Sequence, residues 1–217
     1  MSLRRIAAIA VIVPFLADAR PTQGAGSESV VIYLHGRIVQ ERQDARPRSE
    51  DFGHYELDRI RDELRSGGAR LISDIRPRKV TSETYADKVV TDVRALLAQG
   101  VPADRITVVG ASMGGAIALL ASARLKNPDV RFAVLGVCVA QNDAAFRENG
   151  EAIVGRVLAI REESDRFTRG CPSWAGAGSA SNEIILRTGL DHGFLYRPMK
   201  EWVGPVMEWI GGKPAIR

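Results

Sequence analysis

Val108-Val109-Gly110-Ala111-Ser112-Met113-Gly114-Gly115-Ala116 joins two apolar segments of different character. The residues before it, Arg105 to Val109, read as a short strand covered on both faces. Those after it, Met113 to Leu125, are small and apolar on every side, so they predict a buried helix. The junction holds G-x-S-x-G at Gly110, Ser112 and Gly114. As a bare pattern this says little. Between a strand and a helix it describes a sharp turn with a serine at its apex. Such a turn strains the serine backbone and leaves no room for side chains two residues to either side, hence the glycines. The serine also stands at a helix N-terminus, where the dipole and free N–H groups favour a developing anion.

Outward from this turn the chain alternates strands and helices. Val30 to Leu34 is a continuous apolar run ending in His35-Gly36, and Arg37 to Asp51 reads as a polar, arginine-rich loop. A helix over 53–65 follows, with Tyr55, Leu57, Ile60 and Leu64 at helical spacing and Gly67-Gly68 as its stop. Ala69 to Ile75 predicts a strand and Ser82 to Gln99 a long amphipathic helix. Strands are expected over 131–139, 155–160 and 182–188, with a closing helix at 202–210. Strand–helix alternation with short links predicts an α/β fold: a doubly wound, mostly parallel sheet of about six strands, as one domain over 30–217 without a cap domain.

Residues 1–19 have the order of a secretory signal: a basic start with Arg4 and Arg5, an apolar run from Ile6 to Leu16, then Ala17-Asp18-Ala19 as a small-x-small cleavage site. The run is too short to span a bilayer as a mature helix, so no stable membrane insertion is expected after cleavage. Residues 20–29 read as a flexible leader, and the protein is expected to be periplasmic or secreted. In an oxidising compartment the two cysteines, Cys138 and Cys171, predict one disulfide. Cys138 lies at the end of the fourth strand and Cys171 in the loop after the fifth, and neighbouring parallel strands open at one edge. The net charge of +4 comes without an aromatic-rich basic stripe, so nucleic acid is not an expected partner.

A serine nucleophile needs a base. His192 is the only histidine after Ser112, in Gly189-Leu190-Asp191-His192-Gly193 beyond the last strand. The base needs an acid, expected in the loop after the preceding strand, where Glu162, Glu163 and Asp165 compete. Asp165 is preferred, because the chain can turn there toward His192, whereas Glu162 belongs to the strand. Asp191 reads as a turn residue. The oxyanion-hole donors are expected to be the backbone N–H groups of Met113 and Arg37, with His35 bracing the loop that carries Arg37. His35, His54 and His192 are far apart in sequence, no pair has ligand spacing, and neither a metal nor a cofactor is expected.

With Leu34-His35-Gly36, the G-x-S-x-G turn, Ser164-Asp165 and Asp191-His192-Gly193 in this order, residues 30 to 212 resemble a small α/β-hydrolase of the esterase or lipase kind. The resemblance implies cleavage of an ester or related acyl bond in a small molecule through an acyl-enzyme. The two antiparallel strands usual at the start of that fold have no counterpart here. His54 and Tyr55, with Arg76, Arg78 and Lys79, read as a polar rim near the sheet edge. Two other readings compete. One is a fold relative that binds a ligand or partner without turnover. The other is a short-chain dehydrogenase, which Val109-Gly110-Ala111-Ser112 and the Tyr196/Lys200 pair imitate. Its glycine turn belongs after the first strand, and Pro198 interrupts the pair, so it is set aside.

Overall fold

A computed structural model describes residues 28–138, 152–171 and 180–213, and the expected signal segment lies outside them. In chain order the elements are β1 (Val30–Leu34), α1 (Arg37–Arg42), β2 (Arg48–Ser49), β3 (Gly53–His54), α2 (Leu57–Ser66), β4 (Arg70–Ile72), α3 (Ser82–Ala98), β5 (Ile106–Ala111), α4 (Met113–Leu125), β6 (Arg131–Leu135), β7 (Arg156–Glu162), β8 (Ala180–Leu186) and α5 (Lys200–Ile210). Six strands form one sheet in the order β4-β1-β5-β6-β7-β8, and every pairing is parallel.

The continuous apolar strands follow from a sheet covered on both sides. Alternate residues of a strand face opposite ways, so Val30, Ile32 and Leu34 enter one core and Val31 and Tyr33 the other. The first core is closed by α3 and α4, with Val89, Val93, Ile117 and Leu119 inside. The second is closed by α2 and α5, with Leu57, Ile60, Leu64, Trp202 and Val206. Helix α4 is buried almost throughout, as its all-apolar composition requires.

From β1 the chain moves outward to β4, then returns to the other side of β1 as β5 and continues outward to β8. The connections after β1 and β5 therefore diverge, leaving a crevice between the carboxyl ends of these two strands. In open α/β sheets such a switch point is where ligands bind. Here it is bounded by His35-Gly36-Arg37 on one side and Ser112-Met113 on the other.

Several local expectations need correction. Residues 37–42 form helix α1, not a loop, because Gln40 is buried and replaces missing backbone partners. Its amide donates to the carbonyls of Pro77, Arg78 and Val80, and its oxygen accepts from Arg76. Residues 48–54 form a short antiparallel pair, β2–β3, so α2 starts at Leu57 and Tyr55 lies before it. Strand β6 stops at Leu135 because Gly136 turns the chain with φ +63°. The expected end of that strand, Val139, lies outside the described residues. Arg76 is buried against the His35 loop and is not part of a polar rim, and Tyr55 is buried with it.

Candidate active site

Ser112 sits between β5 and α4 with φ 52° and ψ −119°, a strained conformation for a residue with a side chain. The surrounding packing holds it there. A Cβ on Gly114 would come within 2.0 Å of the Leu34 carbonyl oxygen, and one on Gly110 within 2.3 Å of the Gly114 oxygen. Gly114 lets the turn pack against the end of β1, and Gly110 lets β5 pack against the start of α4. The Ser112 N–H donates to the Leu135 carbonyl at 2.8 Å, which ties the apex to the next strand.

His192 lies in a short 3-10 turn, Asp191–Leu195, beyond β8. Its Nε2 is 2.9 Å from Ser112 Oγ, and its Nδ1 is 2.9 Å from Asp165 Oδ2. Asp165 is fully buried, and its other oxygen accepts from the Phe167 N–H at 2.9 Å. Serine, imidazole and carboxylate are thus hydrogen-bonded in series. With Nδ1 donating to the carboxylate, Nε2 is the lone pair available to the hydroxyl.

Glu162 ends β7 and faces elsewhere. Its carboxylate accepts from the N–H and hydroxyl of both Thr188 and Ser164 and from the Gly189 N–H. Burial works to raise its pKa, but these donors outweigh it and hold the carboxyl below the usual glutamate range. Glu162 therefore binds the loop leading to His192 to the loop carrying Asp165. Asp191, with φ 53°, accepts from the His192 N–H and from the backbone N–H and side chain of Arg166. Partial burial pushes its carboxyl upward, and the Arg166 bonds bring it below the ordinary aspartate range.

On the β1 side, His35 is fully buried. Its Nε2 accepts from the Arg76 N–H at 3.0 Å, so the proton resides on Nδ1, which donates to the Gly36 carbonyl. Burial, then the neighbouring Arg76 charge, lowers its pKa to about 3. The Arg76 guanidinium also donates to the His35 carbonyl at 2.6 Å. This buried knot fixes the start of α1. Arg37 and Met113 are the first residues of α1 and α4, where N–H groups lack intrahelical partners. Both line the same cleft as Ser112 and His192.

That cleft has a volume of about 780 Å³. Its charged lining balances: Arg37, Arg42 and Arg48 against Glu41, Glu50 and Asp51. Cys138 lines it as well and is disulfide-bonded to Cys171 with a Cα–Cα distance of 5.6 Å. The bond joins the segment after β6 to the loop that carries Asp165.

No family model matches the sequence, and no curated protein sequence matches it significantly. Solved structures do match. Arabidopsis thaliana SOBER1 superposes with a TM-score of 0.55 at 14% identity, covering 86% of this chain and 99% of that one. An esterase of Rhizomucor miehei gives 0.58 at 13% identity, over 88% of this chain and 77% of that one. The HSL homologue EstE7, from a metagenome library, gives 0.54 at 15% identity, over 88% and 80%. The chain has the α/β-hydrolase fold. Within this α/β-hydrolase fold it is a small version, whose main sheet has only parallel strands among the described residues.

Sequence reasoning passed over several residues of the cleft. Phe52 lies between β2 and β3, and Phe167 lies in the Asp165 loop, each beside the imidazole: ring centroids are 6.3 and 4.7 Å from that of His192. Tyr196, noticed in the sequence only as half of the dehydrogenase-like pair, continues the row at 5.3 Å from Phe52 and 5.2 Å from Tyr55. Gly136 also escaped notice. A Cβ there would meet Leu195 Cδ1 at 2.8 Å and His192 Cε1 at 3.1 Å, so its bareness lets the imidazole lie against the end of β6. A glycine inside an otherwise apolar predicted strand was the available signal.

Proposed function

We propose that this protein is a serine hydrolase that cleaves an ester or related acyl bond of a small molecule. The observation that carries this reading is the hydrogen-bonded series Ser112–His192–Asp165 at the switch point of an α/β-hydrolase sheet. Ser112 Oγ attacks the acyl carbon while His192 Nε2 takes its proton. Asp165 holds the imidazole in the required tautomer and stabilises the imidazolium. The N–H groups of Met113 and Arg37 receive the oxyanion, each at the positive end of a helix. His192 then gives the proton to the leaving group, and water releases the acyl group from Ser112 by the same steps. The esterases among the structural neighbours support the hydrolase reading at the level of the fold.

The protein is further proposed to be exported, with residues 1–19 as signal, 20–29 as leader and 30–217 as the catalytic domain. The Cys138–Cys171 bond accords with an oxidising compartment. Among the described residues no helix is long and apolar enough to cross a membrane.

The test is hydrolysis of p-nitrophenyl acetate by the purified protein and by Ser112→Ala. The expected loss is at least roughly 10³-fold in kcat, since a serine nucleophile and its base act as a unit. Equal turnover by the variant would overturn the assignment. No turnover by either protein would favour a fold relative that binds without catalysis.

A further inference from the structure

The aromatic side chains around His192 are more than the mechanism requires. Phe167 is 59% exposed, one of two large hydrophobic residues so exposed among the described residues. Leaving an aromatic ring in water forgoes a sizeable burial free energy. Its backbone is nonetheless held in place. The Phe167 N–H donates to Asp165, and its loop closes a few residues later at the disulfide. Phe52, on the hairpin side of the imidazole, is held as well. The Arg166 guanidinium lies 5.4 Å from its ring centroid, and the same guanidinium contacts Asp191 and Asp51.

Resting on the hydrolase reading, we propose that Phe52 and Phe167 form a leaving-group subsite for an uncharged aromatic alcohol, so that the preferred substrates are aryl-bearing esters. The chemistry places the leaving group there. In acylation the Ser112 Oγ–acyl carbon bond forms and the acyl carbon–oxygen bond to the alcohol breaks. The serine proton passes through His192 Nε2 to the departing oxygen, and the neutral alcohol leaves. That oxygen must lie within hydrogen-bond reach of Nε2, so its substituent lies against the rings nearest the imidazole. Those rings are Phe167 and Phe52. The balanced charges of the cleft give an ionic alcohol no net attraction. Both rings lie against the His192 and Asp165 loops, whose backbones are tied by hydrogen bonds and the disulfide, which limits the ordering needed on binding.

The experiment compares kcat/KM for benzyl acetate and ethyl acetate, whose alcohols are of similar acidity and whose acetyl-enzyme is the same. The ratio therefore reads the leaving-group contact alone. Wild type should prefer benzyl acetate by roughly tenfold or more, the size of two aromatic contacts. Phe167→Ala should lose most of that preference and Phe167→Tyr, which keeps the ring, should retain it. Because Phe167 is exposed, its removal is not expected to unfold the protein, and a thermal melt of each variant checks this. Covalent labelling of Ser112 by a fluorophosphonate is measured in parallel. If Ser112 is labelled but the ratio is near one, or is unchanged in Phe167→Ala, the subsite is wrong while the nucleophile stands. If neither labelling nor turnover occurs, the hydrolase reading and the subsite fall together.

Discussion

Glu162 and Asp165 leave the same strand and are both buried, yet their partners differ. Asp165 meets the imidazole, whereas Glu162 collects donors from Ser164, Thr188 and Gly189. Asp165→Asn should lower kcat by roughly 10²–10⁴-fold with little change in melting temperature, because it loses the imidazole tautomer and not the fold. Glu162→Gln should do the reverse, costing about 1–3 kcal/mol of stability through donors left unpaired. Its folded-state pKa is depressed. The stabilisation is thus complete above the ordinary glutamate range and is lost as pH falls through and below it. Melting curves of wild type and Glu162→Gln should differ at pH 7 and converge toward pH 3. A crippled kcat in Glu162→Gln with a normal Asp165→Asn would reverse the two assignments. The sequence allowed Asp165 to be preferred, because the loop position was legible. It could not give the five donors around Glu162, which come from two separate segments.

At the scale of elements, the strands of the main sheet and the two long helices were legible because their apolar residues run in stretches or along one face. Helix α4 has the bounds its composition implies. Helix α1 was not legible, since Gln40 and Arg76 read as surface residues until their buried partners are seen. The hairpin β2–β3 was missed for a similar reason: its strands are too short for any alternation to register. The pairing of Cys138 with Cys171 followed from the sheet order, since β6 and β7 are neighbours. The bond closes a separation of 33 residues, for which chain-entropy reasoning gives on the order of 3–4 kcal/mol. It also tethers the loop that holds Asp165 and Phe167. Reduction, or the pair Cys138→Ser and Cys171→Ser, should therefore lower both the melting temperature and ester turnover. A lower melting temperature with unchanged turnover, measured well below the melt, would mean the loop keeps its place without the bond.

Across the whole molecule, the cleft is assembled from the ends of β1, β5, β6, β7 and β8, so its geometry depends on buried contacts far from the chemistry. The knot of His35 and Arg76 is one of them. His35 is neutral in the folded state down to about pH 3 but takes up a proton near its ordinary pKa when unfolded. Its contribution is complete above that ordinary value and is lost as pH falls from there toward 3. Between pH 7 and pH 5 this amounts to at most about 2 kcal/mol. Urea unfolding at the two pH values should show the loss in wild type and a smaller one in His35→Gln. An identical loss in both would show that another group is responsible. The central claim, that these strand ends assemble an activated serine, is tested most directly by mass-spectrometric mapping of a fluorophosphonate adduct. The expected result is a single adduct on Ser112 that is absent from Ser112→Ala and slowed by orders of magnitude in His192→Ala. An adduct that persists in Ser112→Ala, or a wild-type protein that takes up no probe, would contradict it.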